Sequence, residues 1–294
     1  MADLNAAHLL PGVEARPGSG HYGVFDHGAQ VWSWQPDGQA PVLWLSSTAT
    51  FAPGEAVRGG IPICFPWFGA GASGDKTPAH GFVRTATWTR IDTGELTDSG
   101  ELEVRYAIDE SITGGQPLFP HDYAAELRVR FGADHLQTEL RVSNTGAESF
   151  SFEEALHTYL AVSDVAGITI DGLDGSRYLD KVAGDNLFDR VQDGPLKLTG
   201  PTDRVFMHAE PVTVTDPGYA RTLQLTTEGA ANVVIWNPWQ AGAEKMADMA
   251  GDEWRQMVCV EAANAYADTI TLLPGEHWTM AQRIELINGT PSES

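Results

Sequence analysis

Ala125-Glu126-Leu127-Arg128-Val129-Arg130-Phe131-Gly132-Ala133-Asp134-His135-Leu136-Gln137-Thr138-Glu139-Leu140-Arg141-Val142 is the stretch that decides the fold class. Apolar and charged residues alternate as far as Phe131, and Gly132-Ala133-Asp134 then breaks the pattern. Alternation resumes with Leu136, Thr138, Leu140 and Val142 on one side and Gln137, Glu139, Arg141 and Ser143 on the other. Side chains of a strand point alternately to opposite faces, so the pattern predicts a β-hairpin with one buried and one wet face. Asn144-Thr145-Gly146 ends the second strand.

The same period recurs along the chain, at Tyr22–Asp26 into Gln30–Trp34, Glu101–Ile108, Val212–Thr215, Thr222–Thr226, Asn232–Trp236, Asp268–Leu273 and Trp278–Leu286. Turn signals such as Asp216-Pro217-Gly218 and Leu273-Pro274-Gly275-Glu276 punctuate it. Helical candidates are short, for instance Ala241–Ala250, and no repeat of propeller or solenoid length is present. The expected fold is all-β and mainly antiparallel, as stacked sheets in a single domain over residues 1–294 with its core at about 22–286. The Pro/Gly-rich segment from Ala52 to His80 carries Ile61, Ile63, Phe65, Trp67 and Phe68, too apolar for a disordered loop. It is expected to pack as a buried irregular loop lining a site.

A chain of 294 residues with 42% apolar content can bury a large core. Its 18 basic and 40 acidic side chains give a formal net charge of −22, which repels nucleic acid and anionic membrane surfaces at long range. The start, Met1-Ala2-Asp3-Leu4-Asn5, lacks the basic and apolar regions of a signal peptide, and no apolar run is long enough for a transmembrane helix. Cys64 and Cys259 lie in apolar stretches and read as buried reduced thiols of a cytoplasmic protein. The tail Gly289-Thr290-Pro291-Ser292-Glu293-Ser294 is expected to fray.

Several familiar motifs are excluded. Gly69-Ala70-Gly71-Ala72-Ser73-Gly74-Asp75-Lys76-Thr77 fails as a phosphate loop because Asp75 occupies the place of the lysine that must follow the glycine. There is no Gly-x-Ser-x-Gly elbow, and the nine histidines show no metal-ligand spacing, which leaves open only a metal site assembled from distant residues. The chemistry-bearing residues are scattered instead. Arg58 precedes Gly59-Gly60-Ile61-Pro62, and Arg84 closes His80-Gly81-Phe82-Val83-Arg84. Glycine beside a guanidinium lets a ligand approach, and the guanidinium fork suits phosphate or carboxylate; with so many acids present, structural ion pairs serve as well. His157 sits in the alternating run Phe152–Leu160; with Leu156, Thr158 and Leu160 inward, it faces outward with Glu153, Ala155 and Tyr159. Glu261 interrupts the apolar run Met257-Val258-Cys259-Val260. Burial disfavours its ionised form, which is one way to make a general base. Asp180 is a second, weaker carboxylate candidate. Trp236-Asn237-Pro238-Trp239 offers indoles for sugar faces and an amide for a hydroxyl, or simply core packing.

Taken in order, Val57–Pro62, His80–Arg84, His157-Thr158-Tyr159, Val234–Trp239 and Cys259-Val260-Glu261 resemble the hexose-6-phosphate mutarotases (glucose-6-phosphate 1-epimerases) of the aldose 1-epimerase superfamily. The resemblance runs from about Tyr22 to Leu286. It implies a large twisted β-sandwich of the galactose mutarotase-like supersandwich type, a site on its concave face, and no cofactor or metal. His157 matches the family's general acid and Glu261 its general base. Arg58 and Arg84 match its phosphate ligands, Asp180 a substrate-binding aspartate, and His80 a sugar-contacting histidine. Trp236 joins them as a sugar-stacking candidate. Ala79 departs from the family pattern, where a substrate-binding Gln precedes the histidine. The expected partner is a small hexose phosphate, with no nucleic acid, membrane or obligate protein partner. The expected reaction is ring opening and closure with a raised Glu261 pKa and a charged His157. A mutarotase for unphosphorylated aldoses and a non-catalytic sugar-phosphate-binding protein are the alternatives.

Overall fold

The computed structural model describes residues 10–185 and 187–287; the tail Gly289–Ser294 lies outside them. The opening hairpin forms as expected, with Tyr123–Phe131 antiparallel to His135–Asn144 and Leu127 opposite Leu140. Burial alternates along both strands. Charged side chains cover the wet face, where Arg128 and Arg130 donate to Glu103 at 2.6 and 3.2 Å. The turn is stapled from the far side. Gly132 O accepts from the Tyr22 hydroxyl at 3.0 Å and from Trp34 Nε1 at 3.1 Å.

This hairpin belongs to an eight-stranded antiparallel sheet that also contains Thr89–Thr93, Leu102–Asp109, Thr169–Asp171, Val212–Asp216, Arg221–Glu228 and His277–Ile287. A second eight-stranded sheet runs in the order Arg190–Val191, Arg177–Asp180, Thr202–Met207, Asn232–Asn237, Met257–Asn264, Glu154–Leu156 and Ile63–Cys64. Tyr159–Ala161 pairs with Met257–Asn264 beside that path. The apolar inner faces meet in one cluster: Leu127, Leu140, Met280 and Ile284 from the first sheet, Leu156, Val233, Ile235, Val258 and Val260 from the second. Truncating a buried leucine of this layer to alanine costs about 2–5 kcal/mol. A three-stranded sheet of Gly12–Ala15, His21–Phe25 and Val31–Gln35 flanks the sandwich.

One expected helix is shorter than its sequence suggests. The helix is Trp239–Ala243, so only the first three residues of the Ala241–Ala250 candidate are helical, and the chain beyond is drawn away because Asp248 and Glu253 bond to Arg58 and to Ser46-Ser47. Tertiary ties override a modest helix propensity here.

The Ala52–His80 segment packs as anticipated. Ile61, Ile63, Phe65, Trp67 and Phe68 are all buried, and the end of the segment folds back on its middle, where Trp67 Nε1 donates to Pro78 O at 2.8 Å. Two glycines permit this. Gly60 (φ 64°) lies against the Val31 carbonyl and Gly81 (φ 76°) against the Phe65 carbonyl, so close that a Cβ would overlap the oxygen in either case. Gly74 has nearly the same φ, 75°, but open space around it. Gly74→Ala is therefore expected to cost only the left-handed backbone penalty, roughly 1–2 kcal/mol. Gly81→Ala should cost several times more, because main chain must move; equal denaturation midpoints for the two variants would refute this packing.

Candidate functional site

Glu154–Leu156 pairs with Met257–Asn264 through Glu154 opposite Asn264 and Leu156 opposite Ala262; Tyr159–Ala161 pairs with the same strand through Tyr159 opposite Cys259. The register is unchanged across the interruption, which sets His157 directly opposite Glu261. At the break, Thr158 N–H turns back to Leu156 O (2.9 Å), His157 N–H bonds Pro62 O (3.0 Å) and Tyr159 N–H bonds Gly60 O (2.9 Å). Gln282 of the other sheet holds the inner side of the break, accepting from the Thr158 hydroxyl and donating to Val260 O at 3.0 Å. Leu156, Thr158 and Leu160 thus point into the sandwich while His157 and Tyr159 point out, as the alternation predicts.

His157 Nε2 and Glu261 Oε1 are 3.5 Å apart, and both residues are buried, at 8% and 1% exposure. Burial pushes the Glu261 carboxyl well above its usual range, with the nearby Asp203 carboxylate adding to the effect and Lys181 opposing it. Burial also pushes the His157 imidazole well down, followed by His80 and the Arg84 and Arg58 cations. The raised carboxyl agrees with the sequence expectation, but the imidazole moves opposite to it. Placing both groups in a dry layer favours neutral imidazole and protonated carboxyl. That arrangement holds the same single proton as the charged pair.

His80 stands beside His157, with ring centroids 5.4 Å apart. Its Nδ1 accepts from Gly69 N–H at 3.3 Å and lies 3.2 Å from Cys64 Sγ, leaving Nε2 to carry the proton. Burial, then Arg84, Lys181 and Arg58, push its pKa down to about 3, so His80 is a neutral donor. Tyr159 stacks on His157 at 4.8 Å, and the Trp236 indole meets both rings edge-on at 6.1 Å. The other members of the Trp236–Trp239 phrase are structural. The Asn237 amide donates to Trp254 O and Met257 O at 2.8 Å each, and Trp239 packs on Trp254.

The two arginines differ. Arg58 donates to both oxygens of Asp248 (3.0 and 3.2 Å) and to the Tyr159 hydroxyl (3.1 Å). Arg84 donates to Ala79 O at 2.8 Å, and its buried Nε has no partner. Asp180 is not brought to this face. It accepts from Arg204 at 3.1 Å on the side of the sheet where Tyr178 and Phe206 join the inner core. Its neighbours take the position instead, with Lys181 Nζ 3.2 Å from Asp203 on the face that carries Glu261. Sequence reasoning missed Lys181, Asp203, Tyr159 and Asp248. The available signal was slight: Lys181 is one of four lysines, and Asp203 alternates with Val205 in an apolar strand. Cys64 and Cys259 are free and buried, as expected.

A profile of the aldose 1-epimerase family matches residues 15–285. The chain belongs to that family. A proposed glucose-6-phosphate 1-epimerase of Cenchrus ciliaris is 34% identical over 262 residues, which span 87% of this chain and 78% of that one. Another from Escherichia coli is 36% identical over 241 residues, 81% of this chain and 78% of that one. The crystal structure of a proposed mutarotase from Salmonella typhimurium superposes with a TM-score of 0.83 at 29% identity, covering 96% and 98% of the two chains. A galactose mutarotase-like protein from Lactobacillus casei shares the β-sandwich fold at a TM-score of 0.69 and 15% identity, covering 94% and 100%.

The buried carboxyl makes this aldose 1-epimerase family member trade stability for its site. With its folded pKa raised, Glu261 contributes stability that is complete below the ordinary value of 4.5 and lost as pH rises. Glu261→Gln is therefore expected to melt higher than the wild type at about pH 8, with the advantage fading toward and below pH 4.5. His157 acts in the opposite sense but is present in both proteins. A stability difference that does not vary with pH would contradict the burial of a protonated carboxyl.

Proposed function

We propose that the protein interconverts the α and β anomers of a hexose 6-phosphate, foremost glucose 6-phosphate, by acid/base ring opening and closure. The observation that carries this reading is the His157–Glu261 pair at 3.5 Å on a buried sheet face, with Arg58, Arg84 and Lys181 close enough to act on it or on His80. Glu261 takes the proton of the C1 hydroxyl while imidazolium His157 gives one to the ring oxygen. The C1–O ring bond breaks and an open-chain aldehyde remains. Rotation about C1–C2 presents the other carbonyl face, and the proton transfers reverse.

The site's electrostatics favour the middle of this sequence. After ring opening the pair stands as neutral His157 and protonated Glu261, the arrangement that burial stabilises. Neutral His80 can donate its Nε2 proton to a sugar hydroxyl, and Trp236 offers an aromatic wall to the ring. Arg84 supplies the phosphate contact, and Arg58 joins it while keeping Asp248.

The engagement of Arg58 with Asp248 and Tyr159 is the one observation favouring a mutarotase for unphosphorylated aldoses. Against it stands Arg84, a guanidinium with a buried, unpartnered Nε beside the catalytic pair. The compartment we infer is the cytoplasm, where sugar phosphates and unpaired thiols coexist. Among the described residues, no helix is long and apolar enough to cross a membrane.

Anomer exchange by NMR, with glucose 6-phosphate and with glucose, separates the readings. A charge-assisted hydrogen bond contributes roughly 1.5–3 kcal/mol. Arg84→Ala should thus weaken use of glucose 6-phosphate about 10- to 100-fold, and Arg58→Ala less, since part of its fork already serves Asp248. Turnover of glucose should barely change. Equal losses for both sugars would make the protein a general aldose mutarotase.

A further inference from the structure

Cys259 has no part in the reaction above, yet it stands two residues before Glu261 on the same strand and the same face. A ring nitrogen of His157, Cys259 Sγ and a carboxylate oxygen of Glu261 all lie within 4.8 Å of one another. His157 Nδ1 and Glu261 Oε2 are buried without hydrogen-bond partners. Buried polar atoms are rarely left so, and both residues therefore keep bonding capacity that their mutual Nε2–Oε1 contact does not use. Imidazole, thiolate and carboxylate together are the donor set of a borderline-soft divalent ion, not of magnesium or calcium.

We propose that His157, Cys259 and Glu261 form a binding site for zinc or a chemically similar ion, and that the metal and the sugar phosphate exclude one another. Zinc–ligand distances of about 2.0–2.3 Å place donor atoms roughly 3.3–3.8 Å apart around a tetrahedral ion. The His157–Glu261 separation of 3.5 Å already fits, and side-chain rotation of about 1 Å closes the widest gap from 4.8 Å. Three protein ligands leave a fourth position for water. The thiol proton, and the proton held by the His157–Glu261 pair, leave to solvent as the ion enters. Asp203 favours a cation here, and Asp248 offsets Arg58, while Arg84 and Lys181 oppose it. An ion so placed ties up both proton-transfer groups and therefore inhibits. Only the loss of activity rests on the catalytic reading; binding does not.

The test uses the purified full-length protein, zinc for stoichiometry and affinity, and cobalt(II) as a spectroscopic probe. One zinc per chain should bind, abolish anomer exchange and be reversed by chelation. Cobalt should show the near-ultraviolet charge-transfer band of a thiolate ligand. Cys259→Ala should retain exchange, lose the cobalt band and bind zinc at least about 100-fold more weakly, since even supporting shells of metal sites are worth 10- to 100-fold. Cys259→Ser serves if the alanine variant folds poorly, and Cys64→Ser should keep the band. Absence of the band in the wild type, or its survival with unchanged affinity in Cys259→Ala, overturns the proposal. A wild type that shows the Cys259-dependent band but no exchange even after chelation would sustain the metal site and sink the catalytic reading.

Discussion

The burial of a carboxyl directly opposite an imidazole, on adjacent strands, is the constraint on which the rest of this structure depends. An unpaired charge cannot be placed in such a layer cheaply, so His157 and Glu261 together accommodate one proton and favour its neutral distribution. The register that sets them face to face must hold across a break in the strand. Gln282 secures that break from the opposite sheet, and Pro62 and Gly60 secure it from the buried loop. The sandwich core, through the Gln282 side chain, and the Ala52–His80 loop, through backbone bonds, thus act on one side-chain pair.

Around that pair the charge is arranged against the character of the molecule as a whole. The chain carries a formal net charge of −22, yet three of its few cations, Arg58, Arg84 and Lys181, gather at one face. Screening limits the long-range field to about 8 Å at physiological ionic strength. Local guanidinium groups therefore govern what binds inside the pocket. Two of the cations are tethered to acids, Arg58 to Asp248 and Lys181 to Asp203, so Arg84 has the most binding capacity to offer.

What could be read from the sequence follows from what sets each feature. The Ala125–Val142 hairpin was legible because alternation and the Gly132 turn are local. So was the outward direction of His157, which needs only the period of its own strand. The meeting of His157 with Glu261 was not derivable from residues alone, since it depends on pairing between segments a hundred positions apart; the family resemblance suggested it. The same limit explains the aspartates. Asp180 and Asp203 both lie in short strands, and which of them faces Glu261 is decided by the register of Leu179 with Val205. The helix over Ala241–Ala250 fell short because Asp248 is held by a residue 190 positions earlier.

The central claim is that His157 and Glu261 act as one proton-transfer unit, and a double-mutant comparison of catalysed anomer exchange on glucose 6-phosphate tests it most directly. His157→Ala and Glu261→Gln should each lower the rate by about 10²–10⁴-fold with the fold intact. Because either loss alone stalls ring opening, the double variant should be no slower than the worse single one. Losses that multiply, or a single variant that retains near-wild-type exchange, would contradict the account.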